Sequence, residues 1–206
     1  MSDWLLVLAG VLLTAGTALF VAGEFSLVAL DRPMVEAAAA QGDSGAGSVL
    51  ISLRRLSTQL SGSQVGITIT TLALGFLASP ALTSLLTTPL AGVGRTGTAL
   101  TTAAGLLALI LVTLFSMIFG ELVPQFLGMS APLATAKVVA LPLRLFTSAA
   151  KPFILVLNGS ANQVLRRLGI EPQEELSAAR SPAELASMVR TSAEAGTLGA
   201  GTARLI

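Results

Sequence analysis

The chain has 206 residues, 53% hydrophobic and 11% charged, with a net charge of +1 and a mean hydropathy of +0.82. Soluble domains carry about 25% charged residues, so this composition reads as a membrane protein, and its near-neutral balance gives no reason to expect a nucleic-acid partner. The absence of Cys and His excludes disulfides, thiolate nucleophiles and imidazole ligands, so any metal must be held by oxygen, which suits hard cations such as Mg²⁺ and Ca²⁺.

The N-terminus lacks the basic n-region of a secretory signal, and the first apolar run is expected to be retained. Trp4 to Gly23 carries no charge. That is roughly the 20 residues a helix needs to cross a hydrocarbon core, and Trp4 stands where an interfacial aromatic belongs. The helix is expected to continue past Glu24 to about Leu30, with Asp31, Arg32 and Pro33 marking its exit. Residues 31–60 then change character, with charges, a Gly/Ser-rich turn from Gly42 to Gly47 and the pair Arg54–Arg55. They read either as two short helices at a membrane surface or as an ordinary connecting loop. Leu56 to Gly94 is uncharged, and Pro80, Pro89, Gly92 and Gly94 are expected to divide it, leaving about Ser61 to Leu86 as a second span. Thr96 to Gly120 is the third uncharged run, ended or kinked by Glu121 to Pro124.

Beyond it, Lys137, Arg144 and Lys151 recur between Pro132, Pro142 and Pro152. Segments so interrupted fit interfacial helices better than one clean span. From Ile170 the chain is polar, and "SPAEL" reads as a soluble helix start with Ser181 as N-cap, Pro182 at N1 and Glu184 at N3. A longer parent protein is expected from the lack of a stop signal at Ile206. The expected architecture is an all-α membrane protein with spans at about 4–30, 61–86 and 96–121, juxtamembrane helices at about 33–58 and 132–168, and the start of a cytosolic acidic helical bundle at 170–206. Arg32, Arg54 and Arg55 place the 31–60 connection and the C-terminus in the cytoplasm by the positive-inside rule, with the N-terminus outside.

Two acids interrupt the apolar runs. An intramembrane acid costs roughly 2.5–3.5 kcal/mol on insertion scales and usually marks function. Glu24 and Glu121 are therefore candidates for a cation or proton site, the other reading being that each lies solvated at the interface. Glu121 has no basic residue until Lys137, and Pro124 leaves carbonyls near Gly120 without an amide partner. A carboxylate beside freed carbonyls makes a hard-cation site. In the second span, Gln64, Thr68 and Thr71 recur at i, i+4 and i+7 and share a face. They read either as neutral ligands turned toward the acids or as hydroxyls bonding their own i−4 carbonyls. Ser26 and Gln64 are further polar candidates for substrate binding. Gly66 and Gly75 permit close helix approach. No motif pairs a nucleophile with a base, so an enzyme is not expected.

In order, "VAGEFSLVALDRPMVEAAAAQGD", "SQVGITITTLALGF" and "FGELVPQFLG" resemble the transmembrane domain of the cyclin M/CorC, hemolysin-like, family over about residues 5–170. The tail, with "LNGSANQVLRRLGIEP" and "SPAELASMVRTSAEAGTLG", looks like the family's acidic helical bundle. The resemblance implies a dimeric cell-membrane protein with three spans and a belt of juxtamembrane helices, followed by a cytosolic pair of CBS domains that binds ATP. It implies Mg²⁺ efflux, apparently Na⁺-coupled, by way of a dehydrated Mg²⁺ between the spans. Gly120, Glu121 and Pro124 match the third-span Gly-Glu-x-x-Pro, and Glu24 the first-span acid. Where Mg²⁺ transporters often have Ser, Asn, Asn and Lys, this chain has Gly23, Ile67, Thr71 and Gln125. Members with this "GIT" second span include some linked to polyamine export. The expectation is a cation site at Glu121 in an unwound helix end, opposite Glu24, with Thr68 and Thr71 on the facing span. Its alternatives are polyamine export and a non-transporting membrane anchor or sensor for cytosolic CBS domains.

Overall fold

The computed structural model describes residues 3–91 and 97–170. The proposed acidic bundle beyond Ile170, including Ser181, Pro182 and Glu184, and the turn at Arg95 lie outside the described residues. Every regular element among the described residues is helical: α1 (Asp3–Ala29), α2 (Arg32–Ala40), α3 (Ser44–Leu53), α4 (Leu56–Ala91), α5 (Thr98–Phe115), a π-helical segment (Ser116–Leu122), α6 (Val123–Ser130), α7 (Pro132–Ala149) and α8 (Lys151–Arg167). Three stretches are long and apolar enough to cross a bilayer: Asp3–Ala29, Leu56–Thr88 and Thr98–Ser130, of 27, 33 and 33 residues. Met1–Gly159 forms one compact unit, described here; of the unit from Ser160 onward, the described residues are the end of α8 and the turn after it.

α1 is the central helix and packs against α4, α6, α7 and the π segment. Its close contacts use small residues. A Cβ added at Gly10 would lie 2.9 Å from that of Ala78, and one at Gly128 would lie 2.9 Å from the Ser26 amide nitrogen. Lipid tails supply no hydrophobic force between helices, so close backbone approach and packing carry the association. Leu72, Phe76, Leu106 and Phe126 face outward accordingly, each more than half exposed.

The main hydrophobic core lies at one end of the spans, where Phe20 and Leu27 of α1 meet Val35, Ala46, Val49, Ala140 and Leu143 of α2, α3 and α7. Pro33 in the first turn of α2 uses the position where a helix needs no amide partner. Gly42 closes the α2–α3 turn at φ 91°, a left-handed conformation that glycine adopts freely. Asp43 then caps α3 by accepting from the Ala46 amide at 3.1 Å. The same carboxylate ion-pairs with Lys137, and Arg144 Nη1 donates to the Ser48 carbonyl at 3.5 Å, so α7 is tied to α3 at two levels. The Lys137 ammonium foremost, then the Ala46 amide, hold the Asp43 carboxyl below its ordinary range.

Three prolines behave differently from the sequence expectation. Pro80 and Pro89 do not divide the second run, because α4 continues through both from Leu56 to Ala91. Neighbouring helices and Ser/Thr side chains let spans tolerate a missing amide. Pro124 does not unwind the third span either. The chain widens instead: the Val123 amide bonds the Ile118 carbonyl five residues back, and α6 continues to Ser130. A π turn takes up one extra residue and relieves the clash between a proline ring and the preceding turn.

Candidate functional site

Glu121 lies in the π segment and opens into a cavity of about 250 Å³. Thr71, Gly75 and Ser79 of α4 line one side, and Thr113 of α5 and Ser116 of the π segment the other, with Leu74, Leu109, Val112 and Met117 completing the wall. Ser116 Oγ and Ser79 Oγ are buried without a hydrogen-bond partner. No basic residue is among the lining groups. One carboxylate and four hydroxyl residues thus share a largely apolar wall, and oxygens of this kind are the donors that hard cations prefer.

Gly120 sets the depth of this segment. An added Cβ there would lie 3.3 Å from Ser116 Oγ, 3.4 Å from Thr14 Cγ2 and 3.5 Å from Thr17 Cβ. The π turn therefore rests on a hydroxyl band of α1. Thr17 Oγ1 and Thr70 Oγ1 of α4 are 2.8 Å apart, joining the first two spans at this level. Pro124 is buried directly after the segment.

Glu24 is half-buried, with the Gln64 side chain beside it. It does not line the Glu121 cavity. The two acids thus occupy separate places rather than opposite walls of one site, and no group of three or more acidic side chains converges among the described residues.

The second-span face is likewise divided. Gln64 serves Glu24, Thr71 serves the Glu121 cavity, and Thr68 Oγ1 donates to the Gln64 carbonyl at 2.8 Å. Thr68 lines no part of the cavity. Ser26 is fully buried, donates to the Gly23 carbonyl at 3.2 Å and lies under Gly128, so it packs α6 against α1. Gly66 does allow close approach: an added Cβ would lie 2.6 Å from the Phe20 ring. Gly75 does not, since nothing stands within 4 Å of its added Cβ, and it borders the cavity instead. At Gly23 an added Cβ would lie 2.9 Å from Leu143 Cδ2, so α1 and α7 approach closely there.

Nothing in the sequence alone separates Ser79, Thr113 and Ser116 from its many other Ser and Thr residues. The signal for Ser116 is its spacing of five from Glu121, which brings two residues to one side only where bonding runs i to i+5.

Together the three apolar spans, the helical belt and a carboxylate cavity between spans define an integral-membrane domain. The chain belongs to the family described as the cyclin M transmembrane N-terminal domain, whose model matches residues 8–201. It is 49% identical over 203 residues to the UPF0053 protein MT1890 of Mycobacterium tuberculosis, covering 97% of this chain and 44% of that protein. It is 34% identical to the uncharacterized protein Rv1841c of the same species, covering 93% of this chain and 54% of that protein. With the UPF0053 protein YhdT of Bacillus subtilis the identity is 33%, over 94% of this chain and 42% of that protein. The chain therefore spans about half the length of these relatives or less.

Proposed function

We propose that the chain is the membrane domain of a cation transporter that exports Mg²⁺ by alternating access, with Glu121 as the charged ligand of the transported ion. The observation that carries this reading is the Glu121 cavity: one carboxylate with Thr71, Ser79, Thr113 and Ser116 around it, within the length of two apolar spans. A carboxylate so placed is costly unless it serves a cation. Thr71 stands where the Mg²⁺ transporters of the family often have Asn, so the cavity keeps an oxygen at that position. Glu24 with Gln64 forms a second polar station, through which the cation would pass rather than share ligands with Glu121.

The cation enters from the cytoplasm, sheds part of its water at the cavity and leaves on the side of the N-terminus. Arg32, Arg54 and Arg55 support that orientation, with the belt and the C-terminus cytoplasmic. A homodimer would shield the cavity from lipid, and Na⁺ is the coupling ion to test first. A cytosolic CBS pair would bring ATP control to the assembly. The second reading is polyamine export: a single carboxylate lined by hydroxyls also fits an ammonium group, and Ile67 removes a ligand that Mg²⁺ would use.

Flux in proteoliposomes separates these readings, with Mg²⁺ and a diamine each tried on the protein and on Glu121→Gln. Mg²⁺ flux lost in the variant supports the first reading, and diamine flux alone supports the second. Folded protein that moves neither, or a variant that matches the parent, sinks the transport reading in favour of a membrane anchor or sensor.

A further inference from the structure

Six buried side-chain oxygens have no partner among the described residues, and they fall into two groups. Ser79 Oγ and Ser116 Oγ belong to the Glu121 cavity. Ser52 Oγ, Gln59 Oε1, Ser63 Oγ and Thr147 Oγ1 lie elsewhere, on residues exposed by 0, 4, 0 and 2%.

These four residues belong to α3, α4 and α7, which pack on one another. α3 and α7 advance together: Asp43 reaches Lys137, and five residues on Ser48 receives Arg144. One further turn brings Ser52 level with Thr147. Thr147 lies directly over Gly62 of α4, where an added Cβ would collide with its Oγ1. Gln59 and Ser63 flank Gly62 and, at i and i+4, share a face of α4.

A buried oxygen without a partner costs the full desolvation of that group, and native interiors hold few of them. Four on one junction call for a ligand. The group contains no carboxylate, and the cations of α7 beside it are engaged, Lys137 with Asp43 and Arg144 with the Ser48 carbonyl. A neutral set that both donates and accepts fits a neutral ligand able to do the same. We propose that the α3–α4–α7 junction is a hydration site, in which ordered water bridges Thr147 and Ser52 of the belt to Ser63 and Gln59 of the second span. Buried waters commonly make about three hydrogen bonds to groups of this kind. The proposal does not depend on the transport reading. It gives the second span a contact with the belt that can exchange partners while α4 shifts, which interlocked apolar side chains cannot do.

The direct test is a structure of the full chain in lipid nanodiscs, at a resolution that shows bound water. Density within about 2.7–3.2 Å of both Thr147 Oγ1 and Ser63 Oγ is expected. A junction in which the four oxygens bond one another or nearby carbonyls, with nothing between, overturns the proposal. Thermal melting gives an independent reading of sign. In a dry junction whose hydroxyls stay unpaired, Thr147→Val and Ser63→Ala remove unsatisfied groups and raise Tm. In a hydrated one each lowers Tm by about 2–4 °C, and the double variant loses less than the sum, because the same water is lost once. A rise or no change in the single variants counts against bound water.

Discussion

Replacing Gly66 by alanine probes how the first two spans are joined. The new Cβ would stand 2.6 Å from three atoms of the Phe20 ring. That ring cannot simply swing away. It is 8% exposed, and Phe146 of α7 holds it with ring centroids 4.6 Å apart. Either Phe20 leaves its rotamer or α4 backs off from α1, and overpacking of this kind costs about 1–3 kcal/mol. At roughly 2–4 °C per kcal/mol for a chain of this size, Tm should fall by about 2–12 °C. Gly75→Ala is the internal control, since nothing lies within 4 Å of its added Cβ and Tm should stay within about 2 °C of the parent. The assay is thermal unfolding of purified protein in one nanodisc lipid, followed by loss of the monodisperse chromatographic peak. In a Phe20→Leu background the cost of Gly66→Ala should shrink, because the two residues share one contact. Equal melting of the Gly66 and Gly75 variants, or full additivity with Phe20→Leu, would refute this account of the α1–α4 seam.

The other predictions concern the belt, the α1–α6 contact and the cavity. Gly128→Ala pushes against the α1 backbone, 2.9 Å from the Ser26 nitrogen and 3.2 Å from the Ala22 carbonyl oxygen, neither of which is a movable side chain. It should lower Tm at least as much as Gly66→Ala, and an unchanged melt would mean that α6 is not seated on α1. Asp43, whose carboxyl Lys137 holds below its ordinary 3.8, contributes stability above that pH and loses it as pH falls through the lowered value. Lys137→Met should therefore lower Tm at neutral pH and flatten its fall as pH drops below about 4; parallel pH profiles for parent and variant would contradict the tie. Thr71→Val should reduce flux and Thr68→Val leave it nearly unchanged, because Thr71 lines the cavity while Thr68 bonds the Gln64 carbonyl. Equal losses in both would restore the single-face reading of the second span.

Much of the fold was legible because a bilayer imposes a simple demand. Uncharged runs such as Trp4–Gly23 have one use in so oily a chain, and the charges at Asp31, Arg32, Arg54 and Arg55 mark where the apolar runs stop. The prolines depart from their usual behaviour for an equally physical reason. A missing amide at Pro80 or Pro124 ends a helix in water, but within a span the backbone adjusts and carries on, at Pro124 by widening into a π turn. The site was half legible. Glu121 and Glu24 stand out as acids, and Gln64, Thr68 and Thr71 do share a stripe. That stripe, however, is about 10 Å long at 1.5 Å per residue, so its two ends serve different neighbours, Glu24 at one level and the Glu121 cavity at the other. Ser79, Thr113 and Ser116 could not be chosen from so many Ser and Thr residues until the π turn fixed which of them face Glu121. The Asp43–Lys137 pair, 94 residues apart, left no local trace at all.

The central claim is that Glu121 holds the transported cation, and the most direct measurement is the Mg²⁺ dependence of Tm at constant ionic strength. A ligand at about 100 times its Kd stabilises the folded state by roughly 2.7 kcal/mol, or about 5–11 °C here. The account predicts such a rise for the parent and its loss in Glu121→Gln, with the variant melting no lower than the parent in the absence of Mg²⁺, since it lacks the uncompensated charge. The same rise in both would place any Mg²⁺ site away from Glu121, and no rise in the parent would contradict Mg²⁺ as the ion this cavity binds.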